Sequence, residues 1–182
     1  VRLKNSSIMP IAVRPRRITS QEKETFVQEE LKRLLALGII RPARGSWAAP
    51  ITIALKRNGK FRMCIDFTLL NEQTLRDLFP LPLIPDLIQH FAGNKFFISF
   101  DLVNGYFQID VEESTRELLG FVTPFGHYEF CRLPFGVTNG PPFFMREMAS
   151  LFQNIPGVFV YVDDVGIEAP TIEDLVVRLE AV

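Results

Sequence analysis

The chain has 182 residues, of which 47% are hydrophobic, so it can bury a sizeable core and is not a disordered tail. Lys and Arg number 20 against 21 Asp and Glu, and the net charge of −1 excludes a general attraction to nucleic acid, so any phosphate-binding surface must be local. No run approaches the roughly 18 apolar residues of a membrane span. Cys64 and Cys131 lack zinc-site spacing, which predicts a reduced, intracellular protein.

The N-terminal region predicts an arm followed by a helix. Residues 1–18 are basic and irregular, and we interpret them as an arm lying on the domain in preference to a nucleic-acid contact. Their clustered arginines are Arg14, Arg16 and Arg17. A capping box formed by Thr19 and Glu22 predicts the helix start, apolar residues recur at helical spacing up to Leu35, and Gly38 predicts the end.

A basic hairpin is predicted next. Residues 51–55 and 61–65 alternate apolar and polar side chains around the tight-turn pair Asn58-Gly59. Because side chains alternate between faces, the basic residues fall opposite the apolar set or beside the turn. These are Lys56, Arg57, Lys60 and Arg62. The pattern predicts a positive tip, for which an ordinary solvated face is the simpler alternative.

The remaining elements alternate between helix and strand, which predicts a mixed α+β fold. They are, in chain order, a proline-rich linker after Phe79, a short helix with Leu87, Ile88 and Phe91, a strand over 96–100, strands over 106–111 and 119–133, a helix opened by Pro141-Pro142 with Phe144, Met148 and Leu151 on one face, a hairpin over 158–168, and a helix capped by Thr171 with Asp174. The near-continuous apolar run 96–100 predicts a strand that is covered on both faces.

Carboxylates stand at the ends of two of these apolar runs. Asp163-Asp164 occupies the tip of the hairpin, and Asp101 ends the strand 96–100. Asp is common in turns for backbone reasons, so the pair alone is weak evidence. Carboxylates at the ends of buried strands are costly unless they are paired or bind metal, and two-metal phosphoryl transfer needs such a cluster to hold ions about 3.5 to 4 Å apart. The pattern points to nucleotidyl transfer.

Further motifs extend over essentially the whole chain. They are Gly38–Pro42, Ser46–Pro50, Arg62–Phe67, Leu70-Asn71, Phe79–Pro82, Phe100–Leu102, Gly105-Tyr106, Gly126–Phe130, Leu133–Asn139 and Tyr161–Asp164. In this order and at this spacing they resemble the reverse transcriptases of retroviruses and long-terminal-repeat retrotransposons, most closely those of gypsy-type elements. The resemblance implies an RNA-directed DNA polymerase domain that transfers nucleotides from deoxynucleoside triphosphates to a primer 3′ hydroxyl.

The resemblance also implies an architecture and partners. We expect the fingers and palm of a right-hand polymerase, with a mixed or antiparallel palm sheet backed by helices and with the thumb absent from this chain. Fingers are expected over 1–79 and 110–137, and a truncated palm over 80–109 and 138–182. The implied partners are an RNA or DNA template with its primer, deoxynucleoside triphosphates, and the thumb and ribonuclease H segments of a larger polyprotein. The implied location is a cytoplasmic particle or the nucleus, with no membrane association.

By resemblance, Asp101, Asp163 and Asp164 are the catalytic carboxylates that bind two Mg²⁺ ions, which Mn²⁺ can replace, and the Leu102 carbonyl is a further ligand. The implied nucleotide-binding residues are Lys56, Arg62, Asn104, Gly105, Tyr106, Phe135 and Gly136, and the implied template or primer contacts are Pro141, Tyr161 and Val162. Without the resemblance, Tyr106 is an ordinary core residue. His127 lies in a family motif and receives no chemical role.

Four departures from the family pattern qualify this interpretation. They are Thr68 where arginine is usual, Leu118 where lysine is frequent, Gly140-Pro141-Pro142 where Ala-Pro-Ala is usual, and Gly166 where a bulky apolar residue is usual. A glycine inside a strand is expected to loosen it. The alternative is therefore an inactive or domesticated remnant that binds nucleic acid or a partner without catalysis.

Overall fold

The structure is a computed structural model that describes residues 1–5, 7–80, 85, 93–161 and 164–182. These residues form two units, Val1–Arg76 with Tyr106–Gly140 and Asp77–Gly105 with Pro141–Val182. Both units combine helices with strands, as the sequence predicts. The predicted short helix over 87–91 lies outside the described residues. Within the described part of the chain, no helix is both long and apolar enough to cross a membrane.

The first unit is built on a five-stranded sheet with the order β1-β6-β5-β2-β3. Its strands are β1 (Ile40–Pro42), β2 (Ala49–Leu55), β3 (Phe61–Ile65), β5 (Gly120–Thr123) and β6 (Gly126–Phe130). The β2–β5 pair is parallel and the other pairs are antiparallel. The predicted basic hairpin is therefore β2 and β3 at one edge of this sheet, with Leu55 opposite Phe61 and Gly59 at φ +77° in the turn.

One long helix and two short ones belong to this unit. They are α1 (Gln21–Ala36), α2 (Thr68–Gln73) and α3 (Glu113–Arg116). The predicted end of α1 is confirmed: Gly38 has φ +64°, its N–H donates to Leu35, and the next N–H donates to Leu34, the pattern of a Schellman motif. The predicted capping box is wrong, because Ser20 is the N-cap residue and makes no side-chain cap bond.

The arm lies along the first unit, as predicted. The N–H of Val13 donates to the Ala48 carbonyl and the Ala48 N–H donates to Ile11, both at 2.9 Å. A second bridge joins Leu3 to Thr74. The core beneath includes Val27, Leu31, Trp47, Phe67, Phe121 and Phe130. Leu118 packs partly buried against this core, which accounts for an apolar residue at that position.

The second unit contains a three-stranded antiparallel sheet with the order β4-β8-β7. Its strands are β4 (Phe96–Asp101), β7 (Val158–Tyr161) and β8 (Asp164–Ala169), and its helices are α4 (Gly140–Phe152) and α5 (Ile172–Glu180). The predicted cap of α5 is confirmed by the bond from the Asp174 N–H to the Thr171 hydroxyl. One face of the sheet joins apolar clusters that contain Met145 and Leu175.

Three predictions about these elements need correction. The strand 96–100 is not covered on both faces, because its side chains alternate and Phe97 is 41% exposed. The predicted strand 106–111 is replaced by a 3₁₀ turn over Gly105–Gln108 and a single bridge between Asp110 and Arg132. On α4, Leu151 is exposed although Phe144 is buried, so the predicted apolar face extends less far than the sequence suggests.

Candidate active site

Two of the three predicted carboxylates meet in the second unit. Asp101 is the last residue of β4, Asp164 is the first residue of β8, and the antiparallel register places them directly opposite each other. Directly opposed residues point to the same face of the sheet, and both side chains are exposed there. Tyr161 is opposite Asp164 on β7 and shares this face. Asp163 and Val162 lie outside the described residues.

A tight turn follows Asp101. The Gly105 N–H donates to the Leu102 carbonyl at 3.2 Å, and Asn104 adopts φ +52°, a conformation that asparagine tolerates better than most residues. A Cβ on Gly105 would lie 3.0 Å from the Phe144 ring of α4. A side chain at position 105 would therefore crowd Phe144, a packing reason for glycine that is independent of the predicted approach to phosphates.

The donor set suits a hard divalent cation. Like charges directly opposite each other in a sheet are destabilising unless something neutralises them, and Mg²⁺ prefers carboxylate and carbonyl oxygens. The Leu102 carbonyl accepts one bond and retains a second lone pair. Among the described residues, which omit Asp163, no group of three or more potential metal ligands assembles. Asp101 and Asp164 thus form a two-carboxylate part of the predicted cluster.

In the first unit, the basic hairpin presents Arg62 toward an aromatic residue. Arg62 lies opposite Ala54 on the exposed face of β3, and its guanidinium carbon is 5.3 Å from the ring centroid of Phe135. A guanidinium over an aromatic face at this distance is a cation–π contact. Lys56 is exposed at the start of the turn, where its N–H donates to the Lys60 carbonyl. The structure therefore groups Arg62 with Phe135, and Lys56 stands at the hairpin tip.

Phe135 is the centre of an aromatic cluster. Its ring centroid is 4.7 Å from that of Tyr106 and 5.6 Å from that of Phe107, the second contact being edge to face. A cleft of about 160 Å³ lies beside this cluster, and its lining includes Arg62, Met63, Phe107, Phe130, Phe135 and Gly136. Gly136 has φ +91°, so a glycine is required there for the backbone.

Tyr106 is only 4% exposed, so most of its ring serves as core. A Cβ on Gly140 would lie 3.2 Å from Tyr106 and 3.3 Å from Val137. Gly140 therefore leaves room for the tyrosine ring, which gives the departure from alanine at this position a local cause. Pro141, the predicted template contact, is partly exposed at the start of α4.

Asn71 is a positioning residue that the sequence reasoning left without a role. Its amide nitrogen donates to the Gly136 carbonyl and its amide oxygen accepts the Thr138 N–H, both at 2.8 Å. One side chain thus holds the loop that carries Phe135. The sequence marked Asn71 only as part of the Leu70-Asn71 motif, and the fold identifies the loop to which its amide is hydrogen-bonded.

Thr68, the departure from arginine, begins α2 beside Asp66. The Thr68 hydroxyl donates to Asp66 Oδ1 at 2.7 Å, and Arg16 of the arm donates to Oδ2 at 2.6 Å. These bonds lower the pKa of Asp66, the hydroxyl contributing most. A cation is therefore present near this turn, supplied by the arm.

A charge network supports β1 and β6. Arg41 and Glu129 are directly opposed across these strands, and Arg41 Nε donates to the 3% exposed Glu129 carboxylate at 2.7 Å. Arg41 also bonds to Glu113, which accepts a bond from Arg116 at 2.6 Å. The two carboxylates raise the pKa of Arg41, Glu113 first, and Arg41 lowers the pKa of Glu113.

His127 has a structural partner, since its Nε2 lies 2.8 Å from the Trp47 carbonyl.

A family match and a comparison with individual relatives indicate the same family. Residues 54–182 match the family described as reverse transcriptase (RNA-dependent DNA polymerase). The chain is 39% identical over 165 residues to the retrovirus-related Pol polyprotein from transposon gypsy of Drosophila melanogaster, a match that covers 86% of this chain and 16% of that polyprotein. The chain therefore spans about a sixth of that relative's length.

Two solved structures have a similar fold. The protease-reverse transcriptase of prototype foamy virus, a CSH mutant, superposes with a TM-score of 0.89 at 23% identity, covering 99% of this chain and 24% of that one. The foamy viral protease-reverse transcriptase in complex with an RNA/DNA hybrid gives a TM-score of 0.84 at 22% identity, covering 98% and 24%. The fold predicted by the motifs is confirmed.

Proposed function

The chain belongs to the reverse transcriptase (RNA-dependent DNA polymerase) family, and from that premise we propose that it supplies the fingers and palm of a retrotransposon enzyme that copies a template into DNA. The observation that carries the proposal is the register that opposes Asp101 to Asp164 on an exposed sheet face. We assign residues 1–79 and 110–137 to the fingers, and residues 80–109 and 138–182 to the palm.

Divalent cations are the cofactors of this family, and Asp101, Asp163, Asp164 and the Leu102 carbonyl are the groups that would hold two Mg²⁺ ions. When bound, such ions lower the pKa of a primer hydroxyl and neutralise the triphosphate. The protein performs little covalent chemistry in phosphoryl transfer, so its own residues serve to position the reactants and to offset charge. The exposure of Asp101 and Asp164 supports this role.

The first unit supplies the groups suited to a deoxynucleoside triphosphate. Arg62 offers a planar fork of donors to phosphate oxygens, and Lys56 offers a point charge. Phe135 lies against Arg62 and orients the fork. Tyr106 packs against Phe135 with its ring tilted, and we assign to it the exclusion of a ribose 2′ hydroxyl. We also assign Gly136 of the first unit, and Asn104 and Gly105 of the second unit, to nucleotide binding as backbone contributors.

The proposed polymer substrate is a template paired with a primer. One similar structure was determined with an RNA/DNA hybrid, which supports this assignment. Tyr161 shares the sheet face of Asp164, and we assign Tyr161 and Val162 to the primer end and Pro141 to the template. The thumb and ribonuclease H segments of a longer polyprotein would complete the enzyme.

Primer extension on an RNA template tests this function. We compare Asp101→Asn with Asp110→Asn, an exposed aspartate that pairs with Arg132 at 3.1 Å. The assay uses the chain alone and the chain joined to the remaining polymerase segments of its gypsy relative. Loss of a metal ligand should lower the rate at least about hundredfold, and Asp110→Asn should leave it unchanged.

Titration with Mn²⁺ and a deoxynucleoside triphosphate distinguishes the remnant hypothesis. A folded chain that binds duplex but neither metal nor nucleotide would support a binding-only remnant. Extension that persists in Asp101→Asn would refute the catalytic assignment.

A further inference from the structure

An unusual pair of residues lies in the middle of the carboxylate-bearing sheet. Phe159 of β7 is directly opposite Gly166 of β8, which is in turn opposite Ser99 of β4. These three residues share the face that carries Asp101 and Asp164. They form the row of cross-strand neighbours next to the row of the two carboxylates.

The Phe159 ring occupies the space of a side chain at position 166. A Cβ built on Gly166 would lie 2.1 Å from Phe159 Cζ, 2.4 Å from Cε2 and 2.6 Å from Cε1. These distances are well inside van der Waals contact, so the ring lies directly on the glycine backbone. Gly166 itself is buried. The glycine is thus covered by the ring from the neighbouring strand.

This arrangement changes the meaning of the departure at position 166. Glycine in a strand interior ordinarily weakens the strand because it adds chain entropy and gives no side chain to pack. An aromatic side chain from the adjacent strand can compensate by covering the glycine. Gly166 and Phe159 are therefore complementary in size, and the expected loosening of the hairpin is offset locally.

The pair is close enough to the carboxylates to affect their placement. Side chains two residues apart on a strand are neighbours on one face, so Asp164 and Tyr161 adjoin Gly166 and Phe159 on one side. Glu168, which is 7% exposed, adjoins Gly166 on the other side. The residues of these two rows are the nearest neighbours on this face that a ring displaced by a side chain at 166 would meet.

We propose that Phe159 is a positioning residue for the metal-binding carboxylates: its ring, seated on Gly166, fixes β8 between β7 and β4 and so holds Asp164 opposite Asp101. This inference rests on the proposed function, since it assigns a purpose to the metal-binding face. Phe159 acts through the strand and contacts neither metal nor nucleotide in this role.

A size exchange tests the proposal. The variants are Gly166→Ala, Phe159→Leu, and the double variant Phe159→Leu/Gly166→Ala, each examined by Mn²⁺ titration and thermal unfolding. Gly166→Ala should weaken Mn²⁺ binding about tenfold and lower the Tm, because its methyl group displaces the ring. The double variant should recover Mn²⁺ affinity to within about threefold of the parent, because the shorter side chain makes room. Phe159→Leu alone should weaken binding less than Gly166→Ala.

A matched control separates positioning from general destabilisation. Leu175 of α5 is 8% exposed and belongs to the apolar cluster on the opposite face of β8. Leu175→Ala should lower the Tm at least as much as Gly166→Ala and leave Mn²⁺ affinity unchanged below the transition.

Two results would overturn the proposal, and they are distinguishable. If folded Gly166→Ala binds Mn²⁺ as tightly as the parent, the ring is ordinary packing and the proposed function is unaffected. If the parent itself binds no Mn²⁺, the proposed function and the positioning role fall together, whatever the Tm values of the variants.

Discussion

The two units each contain a pair of charged residues directly opposed across antiparallel strands, and the pairs have opposite character. In the first unit, Arg41 faces Glu129, the charges are complementary, and the carboxylate is buried. In the second, Asp101 faces Asp164, the charges are alike, and both side chains are exposed. Cross-strand pairs of opposite charge stabilise a sheet, whereas like charges destabilise it. Both pairs are directly opposed across neighbouring strands, but only the first is explained by the fold alone. The second is the pair for which cation binding is proposed.

The contrast also explains where each unit tolerates change. In the Arg41–Glu129 pair only the carboxylate is buried, and loss of the half-buried arginine would leave that buried charge uncompensated. Removing one charge from an exposed pair of like charges relieves their repulsion and should stabilise the sheet. Under the proposed function, the same change removes a cation ligand. Removing a charge is therefore expected to lower the stability of the first unit and to raise that of the second, where it would impair the proposed function.

The largest expected effect on stability is that of Arg41→Met. It leaves the buried carboxylate of Glu129 without its guanidinium, and we expect the Tm to fall by roughly 10 °C in differential scanning calorimetry. Arg33→Met is the matched control, because Arg33 pairs with Glu30 within α1 at a more exposed position, and it should change the Tm by less than about 2 °C.

Adding Glu129→Gln to Arg41→Met should recover much of the loss, since no buried charge then remains. Equal Tm values for Arg41→Met and Arg33→Met would show that the Arg41–Glu129 pair contributes no more than a surface ion pair.

A smaller effect of opposite sign is expected for Asp164→Asn. Removing one of two opposed like charges should raise the free energy of unfolding by about 0.2–1 kcal/mol in the absence of divalent cations. Mn²⁺ should then stabilise the parent chain but not the variant, because a ligand that binds only the folded state raises its stability. Chemical denaturation with chelator and with Mn²⁺ measures both quantities.

Asp110→Asn provides the comparison for Asp164→Asn. Asp110 is paired with Arg132, so its loss should bring no stabilisation and should leave the response to Mn²⁺ intact. A destabilised Asp164→Asn variant that still responds to Mn²⁺ would mean that Asp164 is a structural residue.

Local patterns predicted much of this fold, and long-range contacts limited the rest. The β2–β3 hairpin and the end of α1 follow from turn chemistry and periodicity, which are local in sequence. The run 96–100 was misjudged because an apolar strand can be covered on one face or on both, and only the position of β4 in its sheet decides. The predicted strand 106–111 was wrong because the turn after Asp101 continues into the 3₁₀ turn over Gly105–Gln108, which leaves a single bridge at Asp110.

The candidate site shows the same division. Asp101, Asp163 and Asp164 stood out as carboxylates at strand ends, but the opposition of Asp101 to Asp164 depends on strand pairing across the chain. Asn71 could not be assigned, because its amide holds a loop more than sixty residues away. Gly166 looked like a defect because the residue that covers it, Phe159, is identified only by the register of the hairpin.

The smallest expected effect on stability concerns a third carboxylate, Asp66, which is held by a hydroxyl and by an arginine of the arm. The pKa of Asp66 in the folded chain is lowered, chiefly by the Thr68 hydroxyl and then by Arg16. The stability that Asp66 contributes is therefore fully present above the ordinary aspartate pKa of about 3.9. It is lost as the pH falls through the lower folded pKa. Thr68→Val removes the hydroxyl and keeps the shape, so the pKa of Asp66 should rise toward its ordinary value. Thr68→Ser keeps the hydroxyl and should leave the pKa unchanged.

Carboxyl chemical shifts followed by NMR between pH 2 and 6 report this pKa directly. The stability that Thr68→Ser retains over Thr68→Val through the Asp66 carboxylate should be present at pH 7 and should vanish below the folded pKa, where Asp66 is protonated in both variants. Arg16→Met should raise the pKa less than Thr68→Val does, because the hydroxyl contributes more. If Arg16→Met raises the pKa more than Thr68→Val does, the arm, and not the start of α2, controls the ionisation of Asp66. Arg16 would then supply the positive charge that an arginine at position 68 would otherwise supply.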